Sequence, residues 1–212
     1  MATPTVLPLR CPGCAGTLHG LPQDVVFWCD GCGAHQEVIQ DRFLGRAARV
    51  ARPVQPRAGT MLRLPLWAFR VNTLWQWQDR RRASQAQRMA AIDWVYVTGF
   101  SLHNAFYFGD PGLIFTQKRV ALEPAEPAPI LGCARGLEEA KAYIDPHLLT
   151  IMDRRVDVTG LELATTIGEV VLWGIPYFDE GRSLYDGILG LEIPAVAVDE
   201  IGPLRAWMKG RR

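Results

Sequence analysis

The chain has little of what membrane-spanning and secreted proteins require. None of its apolar runs approaches the length of about 18 residues that a membrane-spanning helix needs. The first ten residues carry two prolines and no apolar core, so we expect no secretory leader and a cytoplasmic protein. Cysteine is also scarce, with five residues in 212. In a chain without a leader, paired cysteines bind metal more often than they form disulfides.

The sequence also lacks the motifs of common catalytic sites. No serine stands in a G-x-S-x-G sequence, and no glycine-rich phosphate loop is present. The remaining candidates are His103 and Asp110 in an aromatic stretch, and Cys133 as a nucleophile beside His103 or His147. A lone histidine or cysteine is more often structural than catalytic. We therefore predict that the protein is not an enzyme.

Lysine is scarce, and the charges are unevenly distributed. The chain has twenty arginines against three lysines. Residues 1–41 carry a net charge of −3, residues 42–88 carry +10 and residues 89–212 carry −6. A basic middle between acidic ends suits contact with nucleic acid, with an acidic protein or with the chain's own acidic half. Genome composition is a simpler explanation for the excess of arginine.

Two C-x-x-C pairs near the start are the most specific pattern in the chain. Cys11 and Cys14 form the first pair, Cys29 and Cys32 form the second, and fourteen residues separate the pairs. Zn²⁺ prefers four soft ligands in a tetrahedron, with metal–sulfur distances of about 2.3 Å. Four cysteines complete this shell and leave no position for water or substrate. We predict one structural Zn²⁺ bound by these four residues.

Two other uses of the same cysteines are open. An iron site of the rubredoxin type has the same four ligands. A thioredoxin-type redox pair requires one C-x-x-C at the start of a helix in an α/β unit, and that context is absent. His19 and His35 lie close in sequence, and we expect them outside the ligand set because four cysteines are available.

The rest of the chain has the pattern of a β-rich domain. Apolar runs at 64–69, 94–100 and 172–178 each contain a tryptophan and end on phenylalanine, and we predict that they are strands of one sheet. A helical pattern at 137–152 is interrupted near Pro146, and a second one ends the chain. The predicted fold is α+β, with an N-terminal four-cysteine zinc ribbon joined to a mainly antiparallel β-rich domain with a few short helices.

We divide the chain into three parts. Residues 1–41 form the zinc ribbon, residues 42–59 form an Arg/Pro-rich connector, and residues 60–212 form the β-rich α+β domain. The first part of the connector, at 43–50, has the composition of a short helix that ends before Pro53.

Residues 11–32 resemble the zinc ribbons of transcription factor IIB and rubredoxin. The ribbon followed by Leu-Pro-Leu-Trp-Ala-Phe at 64–69 also resembles a group of uncharacterised bacterial proteins in which a ribbon precedes a β-rich domain. The segments at 95–119 and from Val170 onward are similar to later parts of that group. The resemblance implies metal binding and a binding role, and no reaction.

An aromatic and basic cluster provides a second candidate surface, formed by Trp75, Trp77, Arg80, Arg81 and Arg82. Tryptophan and arginine are common anchors in protein interfaces, and they also stack on bases and neutralise phosphate. The simpler interpretation is a strand with one buried tryptophan and a solvated arginine turn. We predict a non-enzymatic adaptor, or a subunit of a larger protein assembly. The alternative is a nucleic-acid-binding protein that uses the ribbon and segment 75–82.

Overall fold

The computed structural model describes residues 8–77, 92–105 and 109–210, and these form two β-sheets with short helices against the second. The strands are β1 (Leu18–His19), β2 (Val26–Cys29), β3 (His35–Ile39), β4 (Arg42–Arg46), β5 (Ala48–Val50), β6 (Thr60–Trp77), β7 (Trp94–Thr98), β8 (Leu161–Asp179), β9 (Ser183–Asp186) and β10 (Glu192–Pro194). The helices are α1 (Pro111–Lys118), α2 (Leu137–Lys141), α3 (Ile144–Asp153) and α4 (Ile201–Lys209), with a 3-10 turn at Ala195–Ala197. Within these described ranges, no helix has the length and apolar character to cross a membrane.

This architecture confirms the expected β-rich fold with mainly antiparallel sheets and few helices. The short helix predicted at 43–50 is wrong, because those residues form β4 and β5. Pairing with neighbouring strands overrides the weak local preference for helix. Thus Arg42–Arg46, assigned from the sequence to the connector, belongs to the first sheet, and Ala48–Val50 runs parallel to β8 in the second.

The first sheet is an antiparallel meander in the order β1-β2-β3-β4. Only two residues, Gln40 and Asp41, join β3 to β4, and both have positive φ angles of 47° and 61°. This is the geometry of a type I′ hairpin turn, whose twist matches that of the flanking strands. The short turn brings β4 against β3 and fixes the register of the sheet.

The second sheet has the order β10-β9-β8-β6-β7, and the long strands β6 and β8 form its centre. Alternate residues of β6 face opposite sides of this sheet, as strand geometry requires. One face is buried in a core that contains Leu62, Leu64, Leu66, Tyr96 and Trp173. The opposite face is buried in a core that contains Trp67, Phe69, Val95, Leu137 and Leu172.

The outer edge of β7 is covered by two helices. The backbone N–H of Tyr96 donates to the hydroxyl of Thr116 on α1 at 2.8 Å. The carbonyl of Tyr96 accepts a hydrogen bond of 3.0 Å from Nδ1 of His147 on α3. Side chains therefore satisfy the edge groups that would otherwise pair with another strand.

The first sheet packs directly on the second. Val26 of β2 is fully buried in the core that contains Trp67, and Leu21 is buried in the core on the opposite face. The N–H of Val25 donates to the carbonyl of Cys133 at 2.8 Å. Cys29 therefore lies on a sheet that shares both apolar cores with the rest of the molecule.

Candidate metal centre

The four cysteines of the two C-x-x-C pairs converge on one point. The Sγ atoms of Cys11 and Cys32 are 3.8 Å apart, and those of Cys14 and Cys29 are 3.4 Å apart. All four Sγ atoms lie within 4.8 Å of one another, and all are free thiols. A tetrahedron with metal–sulfur bonds of about 2.3 Å has edges of about 3.8 Å. The sulfurs therefore have the spacing that one tetrahedral metal ion requires.

The two knuckles have the same backbone hydrogen bonds. In the first knuckle, the Cys11 N–H donates to the Gly16 carbonyl at 2.9 Å, and its carbonyl accepts from the Ala15 N–H at 2.8 Å. The Cys29 N–H donates in the same way to the carbonyl five residues later, at 2.8 Å. Ala15 and Gly33 occupy equivalent positions, with φ angles of 59° and 73°. The site is thus a repeated turn that presents two sulfurs from each side.

Gly16 lies close to the sulfurs. A Cβ atom at this position would be 3.2 Å from the sulfurs of both Cys14 and Cys29. By contrast, a Cβ at Gly13 would meet only Cys11 Sγ, at 3.9 Å, which is an ordinary contact. The Gly16 N–H also points to Cys14 Sγ, with a donor–acceptor distance of 3.4 Å. The chain therefore needs glycine where its backbone approaches two ligands at once.

The sulfurs alter one another's ionisation. Burial raises the pKa of Cys29, but hydrogen bonds from the Cys32 backbone and the Cys14 thiol outweigh this effect and lower it to about 7. The Gly16 N–H lowers the pKa of Cys14, but hydrogen bonds between the Cys14 thiol and the other three thiols outweigh this effect and raise that pKa to about 12. Cys29 therefore ionises near neutral pH, whereas Cys14 stays protonated, because two thiolates in contact repel one another. A bound cation removes that repulsion.

The two nearby histidines have other contacts. Nε2 of His19 lies 3.0 Å from a carboxylate oxygen of Asp30, and its ring packs against Trp28. His35 is buried, and burial lowers its pKa to about 4, so its imidazole is neutral at pH 7. Within the described residues, the group of side chains placed to hold a metal contains the four cysteines and neither histidine.

Glu37 links the first sheet to helix α2. It is only 3% exposed, and its Oε1 accepts the backbone N–H of Leu137 at 2.8 Å. Its other carboxylate oxygen accepts a hydrogen bond from Nε of Arg46 on β4. The residue before the helix, Gly136, has no side chain to cap it, and a Cβ there would be 2.5 Å from Glu37 Oε1. Glu37 thus supplies the missing N-terminal cap.

Asp24 makes a second link. Its Oδ2 accepts the N–H of Leu21 at 2.7 Å and the N–H of Gly132 at 3.1 Å. Oδ1 is buried and has no hydrogen-bond partner among the described residues. Burial is the main reason that the pKa of Asp24 is raised to about 6, and the nearby Glu200 carboxylate also raises it. Neither acidic residue had been identified from the sequence, because each has the local pattern of a solvated charge.

Of the four sequence candidates for catalysis, the structure brings Asp110 and His147 together, while His103 has a different partner. His103 is exposed and pairs with Asp199. Asp110 caps helix α1 through its bond to the Gly112 N–H and lies 3.3 Å from Nε2 of His147.

Cys133 is fully buried, and desolvation raises its thiol pKa well above the usual value. A neutral buried thiol is a poor nucleophile.

The aromatic and basic cluster is described only in part. Trp75 and Trp77 lie at the end of β6, where Trp75 is partly buried and Trp77 is 9% exposed. Trp77 therefore offers little ring area for stacking. Arg80, Arg81 and Arg82 lie outside the described residues.

The structure brings together a different set of arginines and tryptophans, whose proximity was not predicted from the sequence. A cleft of about 300 Å³ is lined by Arg49, Trp94, Arg119 and Trp173. The Arg49 guanidinium lies 5.9 Å from the ring centroid of Trp173 and 3.5 Å from Glu169. Arg49 and Trp173 meet because β5 pairs with β8, whereas Trp94 comes from β7 and Arg119 follows α1. The four residues are distant in sequence, so no local motif could have revealed the cleft.

In comparisons with known proteins, no family model, no curated protein and no solved structure matches this chain. The resemblance of residues 11–32 to known zinc ribbons therefore stays a prediction.

Proposed function

We propose that the four clustered cysteines bind one Zn²⁺ in a zinc ribbon whose role is structural. The support is the closed donor set: four sulfurs within 4.8 Å of one another, two of them on the buried residues Cys11 and Cys29. A zinc ion with four protein ligands has no open position for a substrate. The ion instead stabilises two knuckles that have almost no apolar core of their own.

Elemental analysis of the purified protein tests the metal. We expect one zinc per chain, and a tetrahedral thiolate spectrum when Co²⁺ replaces it. A preparation from medium that supplies both metals, yet consistently contains iron and the visible absorption of a ferric thiolate site, would favour the rubredoxin-type alternative. Protein that binds neither metal would exclude both.

We further propose that the protein is a non-enzymatic adaptor, or a subunit of a larger assembly. The observation that supports this is the division of the first sheet into an anchored and an exposed part. Val26 and Glu37 bind this sheet to the rest of the molecule, while Cys14, Cys32 and Leu44 remain exposed. A rigid, metal-stabilised sheet with exposed knuckles and an exposed apolar residue on its edge strand is suited to recognition by another protein.

Affinity capture from the native host tests the adaptor proposal. We expect a stoichiometric protein partner that is retained by the wild type and lost with Leu44→Asp, which places a charge on the exposed part. Arg155→Gln, an exposed change beyond α3, is the matched control. A protein that is recovered alone under mild extraction would contradict the proposal.

A second candidate function is nucleic-acid binding at the cleft of Arg49 and Trp173. It is favoured by two arginines and the partly exposed Trp94 around a space large enough for a base, whereas Trp173 is 6% exposed and offers little ring area. We expect salt-dependent binding of single-stranded oligonucleotides that Arg49→Ala weakens and Arg42→Ala, in the first sheet, leaves unchanged. An absence of binding at low salt to single- or double-stranded DNA or RNA would exclude this function.

A further inference from the structure

The first half of β6 has an open edge. In an antiparallel sheet the N–H and C=O of one residue point to the same side, and the side alternates along the strand. The Pro65 carbonyl accepts the N–H of Gly99 at 2.9 Å, so Pro65 directs its polar backbone atoms toward the β7 side. Met61 and Arg63 share that direction. β7 pairs with β6 only from Leu66 onward, so among the described residues no backbone group pairs with this side of Met61 or Arg63.

A cavity lies beside this edge. It has a volume of about 210 Å³ and is bounded by β6, by the segment at 129–131 and by helix α4. Its apolar lining includes Leu131, Leu204 and Met208. Leu131 and Leu204 belong to the buried core, whereas Met208 is partly exposed. The cavity therefore has a fixed floor and an accessible rim, and it is large enough for one apolar side chain.

Arg63 also lines this cavity and is partly exposed. Its Nε is buried and has no hydrogen-bond partner among the described residues. A buried N–H without an acceptor is destabilising, and a charged one more so. A carboxylate beside the exposed part of this guanidinium would form a charge-assisted hydrogen bond with it.

The charge around the edge is unbalanced. Arg205 is neutralised by Asp179, with Nη2 and Oδ1 2.6 Å apart. Across the part of the chain that the structure describes, neither Arg63 nor Lys209 has a carboxylate within 4.0 Å. Lys209 lines the neighbouring cavity beyond Leu62. An unpaired arginine at the open edge, with the unpaired Lys209 in the neighbouring cavity, favours an acidic occupant.

We propose that the open edge of β6 at Met61 and Arg63 takes an extended acidic peptide of a partner protein as an added strand, with one apolar side chain in the cavity beside α4. Strand addition of this kind uses main-chain hydrogen bonds for affinity and side-chain pockets for specificity. The inference rests on the adaptor function and specifies the chemistry of the partner.

Fluorescence anisotropy with a defined peptide tests the proposal on the full chain. The probe is a short labelled peptide in which glutamate alternates with valine and leucine. We expect saturable binding that Arg63→Gln weakens about tenfold, the effect of one lost charge-assisted hydrogen bond. Met208→Glu, at the accessible rim, is a second variant that repels the probe without altering the strand. Arg155→Gln is the control and should bind as the wild type does.

Two control peptides separate strand addition from simple charge attraction. A peptide with a central proline, which lacks a backbone donor, should bind weakly, and one with lysine in place of glutamate should not bind. Equal binding of the proline peptide would overturn the proposal, and so would equal losses in Arg63→Gln and Arg155→Gln. A dimer that Arg63→Gln dissolves would identify a second copy as the occupant and would also overturn it. These peptide measurements do not depend on affinity capture from the native host. If the peptide does not bind, the open-edge proposal is wrong, and the adaptor proposal is still tested separately by the capture experiment.

Discussion

The Glu37 carboxylate of the first sheet accepts the Leu137 N–H of helix α2 at 2.8 Å, in a contact that solvent barely reaches. This bond joins the first sheet to a helix that packs in the core of the second sheet. Because Arg46 pairs with the other carboxylate oxygen, the loss of Glu37 would leave both a partly buried, unpaired cation and an uncapped helix.

We expect Glu37→Ala to lower the free energy of unfolding by about 3 kcal/mol, because it removes one partner of a buried ion pair. Urea denaturation followed by circular dichroism measures the change. Glu138→Ala is the matched control, since Glu138 lies on the helix that Glu37 caps but is exposed and pairs with Lys141 at the surface. Its effect should stay within about 0.5 kcal/mol. Equal effects of the two substitutions would show that the Glu37 contact contributes nothing specific.

Metal removal should destabilise the whole molecule. Val26 and Cys29 lie on the same short strand, and Val26 belongs to the core around Trp67, so a knuckle that opens also disturbs this core. We expect Cys29→Ser to lose the metal and to unfold at a lower temperature in one transition, monitored by near-ultraviolet circular dichroism. Cys133→Ala, which removes the buried fifth cysteine, should keep one metal per chain. A variant in which the first sheet melts separately would show that the two sheets are independent.

Gly16→Ala should weaken metal binding. The added methyl group would lie 3.2 Å from the sulfurs of Cys14 and Cys29 and would push the ligands apart. We expect a loss of about tenfold or more in affinity, the usual effect of a change beside the ligands, measured by competition with a chromogenic chelator. Gly13→Ala lies in the same knuckle and makes only an ordinary contact, so it should retain wild-type affinity. Identical affinities for the two variants would contradict the packing argument.

Asp24 should make stability depend on pH. Its folded pKa of about 6 lies above the ordinary value of 3.8, so the folded state binds more protons between these values, and stability falls as pH rises through this window. We expect Asp24→Asn, which cannot ionise, to avoid this loss. Between about pH 5 and pH 7.5 its stability relative to the wild type should improve by roughly 1 kcal/mol.

Comparison of the two proteins at each pH isolates Asp24, because proton competition for the metal ligands affects both equally. Chemical denaturation in matched buffers measures the difference. Parallel curves for the wild type and Asp24→Asn would mean that Asp24 ionises normally in the folded protein.

The grouping of the four cysteines could be predicted because the relevant information is local. Each C-x-x-C pair forms one turn, and the spacing between the pairs suits two adjacent hairpins. The three tryptophan-containing runs were also predicted correctly as strands of one sheet, since β6, β7 and β8 are neighbours. A buried strand has an apolar pattern that needs no knowledge of its partners.

The junction between the sheets could not be predicted, because its polar residues resemble surface residues in the sequence. The charge of −3 assigned to residues 1–41 illustrates this. Asp24 and Glu37 are buried in the junction, so two of the four carboxylates in this segment do not face solvent, whereas Asp30 and Asp41 are exposed. A sum of formal charges cannot distinguish a carboxylate in solution from one that caps a helix. For the same reason the arginine-rich residues at 42–50 gave no sign of joining two different sheets.

The order of the junction contacts along the chain has a consequence for synthesis. Glu37 bonds to a residue 100 positions later, and Asp24 bonds to one 108 positions later. The cysteine set, by contrast, is complete at residue 32. A nascent chain on the ribosome therefore has all four clustered cysteines long before the partners of Asp24 and Glu37 exist. On the proposed function, metal can bind before the second sheet folds, and the later residues then pack against a knuckle that is already formed.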